Sequence, residues 1–342
     1  MLFSWGGKCH ILALYKTGAI WYNRNVVFYK KEVCPLKRSS SAASRVILLI
    51  LIVFVLCITL IVGAFMILFR IRDHFREDPV IIEETEPATE PSFLFNDPEY
   101  GEIWVPDLPG VAHCSYEPEN TVVRNGRMYY IEDEKITSVT GVDVSYAQEH
   151  IDWEQVKASG IDFAFIRCGC RTYGSGKLAE DTLFREHMEG ALAAGLDVGI
   201  YFFSQAITIK EAEEEAAFVL ALADGYDLTY PIVFDWEAVT EDEARTDNLS
   251  DEDLVACTRA FCSKIKEAGY TPMIYQNAET ILSRLDLTQL TDYDVWLAEH
   301  GRLSGYYYDY RIRQYSSEAK VPGIRGDVDI NICFKPYTRT EG

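Results

Sequence analysis

The stretch LDVGIYFFSQAITIKEAEEEAAFVLALADGYDLTYPIVFDWE, residues 196–237, decides the fold. It opens with a short apolar run, LDVGIYFFS, and closes with another, YPIVFDWE. Between them, residues 208–223 are amphipathic at helical spacing. A nearly continuous apolar strand, a helix and a second such strand is the pattern of a parallel sheet whose faces are covered by helices.

The alternation continues on both sides. Apolar runs at 138–145 (SVTGVDVS), 162–169 (DFAFIRCG), 271–277 (TPMIYQN), 293–300 (YDVWLAEH), 310–316 (YRIRQYS) and 327–334 (DVDINICF) read as strands. Residues 152–159, 179–195, 250–268 and 277–284 read as helices. About eight strands and five helices in roughly 200 residues predict an α/β fold, an irregular (β/α) barrel, because several late strands have no helix between them. MYYIEDEKITSV (128–139) predicts a short hairpin leading into it.

With 48% hydrophobic and 13% aromatic residues, the 342-residue chain has material for a sizeable core. Its net charge of −21 is unevenly spread. Residues 1–45 hold eight Lys/Arg and one acid, Glu32, about +7, so the remainder carries about −28. A basic head on an acidic body indicates two compartments. The acidic body excludes nucleic acid as its partner, since a phosphate backbone needs a basic surface. Between the two, Val46–Phe69 runs 24 residues without a charge. At ~1.5 Å per residue it spans a hydrocarbon layer of roughly 30 Å, which predicts a single transmembrane helix at 46–69 in the lipid bilayer. The run is too long for a signal peptide and no small-residue cleavage site follows. Lys30, Lys31, Lys37, Arg38 and Arg45 on one flank outnumber Arg70, Arg72 and Arg76 on the other. That bias puts segment 1–45 in the cytoplasm and the body outside the cell. Residues 70–127, rich in Glu and Pro, are expected to be an extended extracellular spacer, and 128–342 the folded domain.

Nine cysteines match no compact disulfide framework, and no Cys/His set has zinc-site spacing. They read mostly as buried small apolar residues. No metal and no cofactor is implied.

Asp-Trp-Glu occurs twice. At Asp152–Glu154 the Asp precedes a helix, with Gln155 three residues on, which is a capping pattern and a structural role. Asp235 and Glu237 instead end an apolar strand. Alternation puts both carboxylates on one face and Trp236 on the other, with α-carbons ~6–7 Å apart. In a parallel barrel the carboxyl ends of strands carry the catalytic groups. Two carboxylates forced together there should have unequal pKa values. Two solvated acids at a strand end is the alternative, and this pattern alone does not separate them. Asp143 ends the first strand and Asp329 lies in the last. First and last strands are neighbours in a closed barrel, so these acids should converge on the same mouth. A ring of carboxylates with aromatics nearby suits a carbohydrate site, where one acid protonates the leaving oxygen and another stabilises an oxocarbenium-like centre.

These stretches resemble glycoside hydrolase family 25, the lysozymes that cleave peptidoglycan. The resemblance covers about residues 128–335. It rests on GVDVSYAQEHIDWEQVKASGIDFAFIRCG, GIYFFSQAITIKEAEEEAAFVL, YPIVFDWE, MIYQN, VWLAEH, RQYSS and VPGIRGDVDIN. It implies an N-acetylmuramidase acting on peptidoglycan glycan strands, at the β-1,4 bond between N-acetylmuramic acid and N-acetylglucosamine, and an irregular β/α barrel. By position, Glu237 resembles the family's proton donor and Asp235 its partner, while Asp143 and Asp329 match the two remaining motif acids. Tyr201, Tyr275 and Trp296 match aromatic positions near the groove, with ordinary core aromatics as the alternative. Arg167 is a further substrate-binding candidate that could equally pair with a structural acid. Two positions depart from the family's habit: Arg313 precedes the Gln of QYSS, and Asp327 stands where Asn is common.

The expected mechanism is substrate-assisted, with Glu237 protonating the glycosidic oxygen and Asp235 polarising the substrate's own N-acetamido group. Asp143 or Asp329 as nucleophile or base is the alternative. A tethered glycan-binding protein with a dead site is a second class, against which all four acids argue. A divalent-metal site made by the acid cluster is a third. A tethered hydrolase suits wall remodelling, or opening the wall for a wall-spanning secretion assembly, and nothing in the sequence separates these.

Overall fold

The structure, a computed structural model, describes residues 92–97, 101–240, 242–301 and 304–338. The expected membrane helix at 46–69, the basic head and the spacer up to residue 91 lie outside the described residues. No helix among the described residues is long and apolar enough to cross a membrane.

In chain order, β1 (Ser92–Asp97) and β2 (Gly101–Pro106) form an antiparallel hairpin. A small antiparallel sheet follows, made of β3 (Thr121–Arg124), β4 (Arg127–Glu132) and β5 (Lys135–Ile136). The main body is β6 (Val139–Val144), α1 (Trp153–Ala158), β7 (Phe163–Arg171), β8 (Leu178–Glu180), α2 (Phe184–Ala193), β9 (Asp197–Ser204), α3 (Ile209–Ala223), β10 (Ile232–Trp236), α4 (Asp251–Glu267), β11 (Pro272–Asn277), α5 (Ala278–Arg284), β12 (Asp294–Ala298), β13 (Ile312–Ala319) and β14 (Val328–Cys333).

Eight strands close a barrel in the order β6, β7, β9, β10, β11, β12, β13, β14 and back to β6, with β8 added antiparallel on β7. Every junction from β6 round to β13 is parallel, whereas β14 runs against both of its neighbours. The parallel expectation therefore fails at the last strand. With no helix after β13, the chain returns by a bulged hairpin, and a hairpin makes antiparallel neighbours.

The helices start and stop where local chemistry dictates. Side chains of Asp152, Thr208, Ser250 and Asn277 accept hydrogen bonds from the first-turn amides of α1, α3, α4 and α5. Asp152 of the first Asp-Trp-Glu is thus a cap, with Gln155 Nε2 also donating to it at 2.7 Å. Helices α2 and α4 end in Schellman turns at Gly195 (φ 75°) and Gly269 (φ 90°). There Leu196 N–H reaches the Ala191 carbonyl at 3.0 Å and Tyr270 N–H the Ile265 carbonyl at 3.2 Å.

Two cores result. The outer one lies between the barrel and its covering elements, and the inner one fills the barrel. Inside, Phe163 stacks on Tyr230 at 4.4 Å and Phe165 on Trp296 at 4.5 Å. Room for these rings comes from glycines directly opposite them in register, Gly141 facing Phe163 and Gly199 facing Phe165. A Cβ on Gly141 would sit 2.3 Å from the Phe163 ring. Aromatic plugging makes the barrel a solid platform whose only chemistry is at its ends.

The barrel wall around β13, β14 and β6 has no helix, and the segment preceding β6 takes that place. Met128 and Tyr130 of β4 are buried, and Tyr116 stacks on Phe334 at 4.1 Å. Phe93 of β1 stacks on Tyr307 at 4.0 Å. The expected hairpin at 128–139 is present as β4–β5. The expected extended spacer of 70–127 differs in its second part, where β1, β2 and β3 form and Phe95 is buried.

Candidate active site

The four acids meet at one mouth. Asp235 is near the carboxyl end of β10, facing inward like Val233, and Glu237 follows the strand. Asp143 is near the carboxyl end of β6, and Asp329 is the second residue of β14. Because β14 is reversed, its start lies at the mouth where the parallel strands finish, and Asp143 and Asp329 are direct register partners. Asp143, Asp235, Glu237 and Asp329 line a pocket of about 300 Å³ together with Tyr201, Tyr275, Trp296, His300 and Gln314.

The acids form two pairs, each with a buried and a more open member. Asp143 and Asp235 are buried, Asp329 is half-buried and Glu237 stands exposed at the rim. Loss of surrounding water in the crowded mouth is the main force raising all four pKa values, even at Glu237, whose side chain still reaches solvent at the rim, and mutual repulsion adds to it, from Asp329 on Asp143 and from Glu237 on Asp235. Asp235 lies beside Glu237 and Asp143 beside Asp329, close enough for a proton to be shared within each pair. Asp143 has further donors, Asn331 Nδ2 at 2.7 Å and Gln314 Nε2 at 3.1 Å. The outer atoms of those amides are fixed in turn. Trp296 Nε1 donates to Asn331 Oδ1 at 2.8 Å, and Tyr275 hydroxyl donates to Gln314 Oε1 at 3.0 Å. Asp235 differs: its Oδ1 is buried without a hydrogen-bond partner.

The backbone carrying Glu237 is pinned from both neighbouring strands. Gln205 Nε2 donates to the Glu237 carbonyl at 3.0 Å, and Gln276 Nε2 donates to the Trp236 carbonyl. Gln205 is itself held by the Thr246 hydroxyl at 2.7 Å.

Such crowding destabilises the fold at neutral pH. Each raised carboxyl holds its proton in the folded chain at pH values where the unfolded chain has released it. Stability therefore falls as pH rises from the ordinary carboxylate range through the raised values. Asp235→Asn is expected to stabilise the protein by about 1–2 kcal/mol at pH 7, with the gain vanishing near pH 3. Thermal melts of both proteins across that range check it, and a gain that does not depend on pH would contradict the electrostatic cause.

Tyr201, Tyr275 and Trp296 all border the pocket. Trp296 is 1% exposed and stacked on Phe165, so it is a floor rather than an open platform. Arg167 is not in the pocket wall; it pairs with buried Asp181 at 2.8 Å and lies over the Tyr146 ring at 4.9 Å. Its charge still favours ionised Asp235. Arg313 points outward and donates to the Glu299 and Gly301 carbonyls, holding the loop after β12. Asp327 is exposed and paired with Lys320 at 2.6 Å, away from the pocket lining. Sequence reasoning missed His300, Gln314 and Asn331, although all three lie within the motif stretches. Among the described residues no group of three or more His, Cys, Asp or Glu is arranged to hold a metal ion. The six cysteines from Cys114 onward are free, and four of them, Cys168, Cys257, Cys262 and Cys333, are buried.

Comparison with known proteins agrees with this geometry. The profile of "Glycosyl hydrolases family 25" matches residues 142–324. The autolytic lysozyme of Clostridium acetobutylicum is 24% identical over 195 residues, 56% of this chain and 54% of that protein. The chain thus spans about half the length of that relative. YegX of Escherichia coli, an uncharacterized protein, is 28% identical over 204 residues, 57% of this chain and 69% of that protein. Among solved structures, the modular autolysin LytC of Streptococcus pneumoniae shares the fold, with a TM-score of 0.52 at 21% identity over 70% of this chain and 56% of that one. LytC has also been solved in complex with a synthetic peptidoglycan ligand.

Proposed function

The chain belongs to glycosyl hydrolase family 25, and from that premise we propose that it hydrolyses the β-1,4 bond between N-acetylmuramic acid and N-acetylglucosamine in peptidoglycan. We further propose that residues 46–69 anchor it in the cell membrane, with 1–45 in the cytoplasm and the barrel outside. The uncharged 24-residue run supports the anchor, and the excess of Lys/Arg on its N-terminal flank supports the orientation.

The observation that carries the mechanism is the buried, unpartnered Oδ1 of Asp235 beside Glu237. A substrate acetamido N–H placed there supplies the missing donor. That hydrogen bond stabilises ionised Asp235 and drives the pair's shared proton onto Glu237. Glu237 then gives the proton to the glycosidic oxygen as the bond to the sugar C1 breaks. The acetamido carbonyl oxygen attacks C1 and closes a five-membered ring whose N–H stays on Asp235. Water, deprotonated by Glu237, opens that ring, and configuration at C1 is retained. Same-strand placement suits this route, because Asp235 and Glu237 approach the sugar from one side.

Digestion of purified peptidoglycan is the test. New reducing ends should be N-acetylmuramic acid, and the first product detected by NMR should be the β-anomer. N-acetylglucosamine reducing ends would overturn the bond assignment, and the α-anomer would exclude the assisted route.

A further inference from the structure

A second, larger cavity lies at the other end of the barrel. Its volume is about 410 Å³, against 300 Å³ for the acid pocket. Asp294, the first residue of β12, Arg311, just before β13, and Lys335, just after β14, stand in its wall. These are the strand ends farthest from the acids. The segment before β6 closes the cavity with Gly110–Ala112, held by Asp309 N–H on the Ala112 carbonyl at 2.8 Å.

The chemistry of the wall selects the ligand class. Every charge in it is already balanced. Arg311 meets Asp294 at 3.2 Å, Lys335 meets Asp309 at 3.7 Å, and Asp292 is met by Lys266 at 3.3 Å. An ionic ligand would have to break one of these pairs. What remains unsatisfied is hydrogen bonding by one hydroxyl and one carboxylate oxygen. The hydroxyl of Tyr306, a residue 3% exposed, and the buried Oδ1 of Asp309 have no partner. Tyr293, Tyr308 and Tyr310 complete the wall. A cavity of this size, tyrosine-walled and with one unpaired acceptor and one unpaired hydroxyl among its lining residues, suits a neutral polyhydroxylated ligand of one or two sugar rings.

We propose that this cavity is a second saccharide site, which grips N-acetylated wall glycan at the end of the barrel opposite the acids. The proposal rests on the wall-glycan reading of the acid mouth, and the two sites together would hold the enzyme on an insoluble polymer more tightly than either alone.

The test uses the full chain carrying Glu237→Gln, titrated calorimetrically with the N-acetylglucosamine tetrasaccharide. Two binding events are expected. Adding Asp309→Ala or, separately, Tyr306→Phe should weaken one event about tenfold and leave the other unchanged. In the chain that keeps Glu237, the same changes should leave hydrolysis of soluble oligosaccharide intact but reduce retention on purified walls. A single event, or two events that neither substitution alters, overturns the proposal. Tyr306→Phe keeps the buried ring, so loss of binding in that variant with an unchanged melting temperature is not a folding defect. Failure of the second event alone leaves the hydrolase reading standing, whereas failure of that reading is seen as turnover surviving Glu237→Gln.

Discussion

Glu237→Gln is expected to lower turnover on peptidoglycan by about 10²–10⁴-fold while changing glycan affinity little. Gln keeps the size and a hydrogen-bonding oxygen but has no proton to give the leaving group. The loss should appear in kcat, because the interaction removed acts in the transition state. Glu237 is exposed at the rim, and its backbone is held by Gln205, so the substitution should not disturb the fold. The melting temperature should stay or rise, since one of four crowded carboxyls is neutralised. Full lytic activity in this variant would remove Glu237 from the chemistry and assign the proton donor to another group.

The second large effect is on stability. Gly141→Ala puts a methyl within 2.5 Å of three atoms of the Phe163 ring. That ring cannot retreat, because it is stacked on Tyr230 and edges against Phe165 inside a filled barrel. Overpacking of this kind costs roughly 3 kcal/mol, which for a domain of this size lowers the melting temperature by about 6–12 °C. Combining it with Phe163→Leu should recover part of the loss, giving a coupling of about 1 kcal/mol or more between the two positions. Independent, additive losses would mean the glycine is needed for some reason other than the ring.

The barrel was legible because its signals are local. Apolar runs such as LDVGIYFFS and PIVF, helical spacing in 208–223, and caps such as Ser250 each point to one element. The four acids were legible because strand alternation fixes the face of Asp235 and closure brings first and last strands together. Hydropathy has no direction, however, so the reversal of β14 did not show in its residues, although that reversal is what brings Asp329 to the mouth. Gln314 and Asn331 were missed because a neutral amide has no pattern of its own; its role appears only once Asp143 is seen beside it. For Arg167 the sequence left substrate and structural acid open, because Asp181, its partner, is 14 residues away on a different element. The hairpin at Ser92–Pro106 was hidden by its acidic, proline-bearing surroundings, and its Phe93 finds Tyr307 more than 200 residues on.

The seam between β6 and β14 has one more implication. Val139, where the barrel begins, is paired with Cys333, where it ends. Chain entry and exit therefore share a single pole, and the carboxyl ring crowns the antipode.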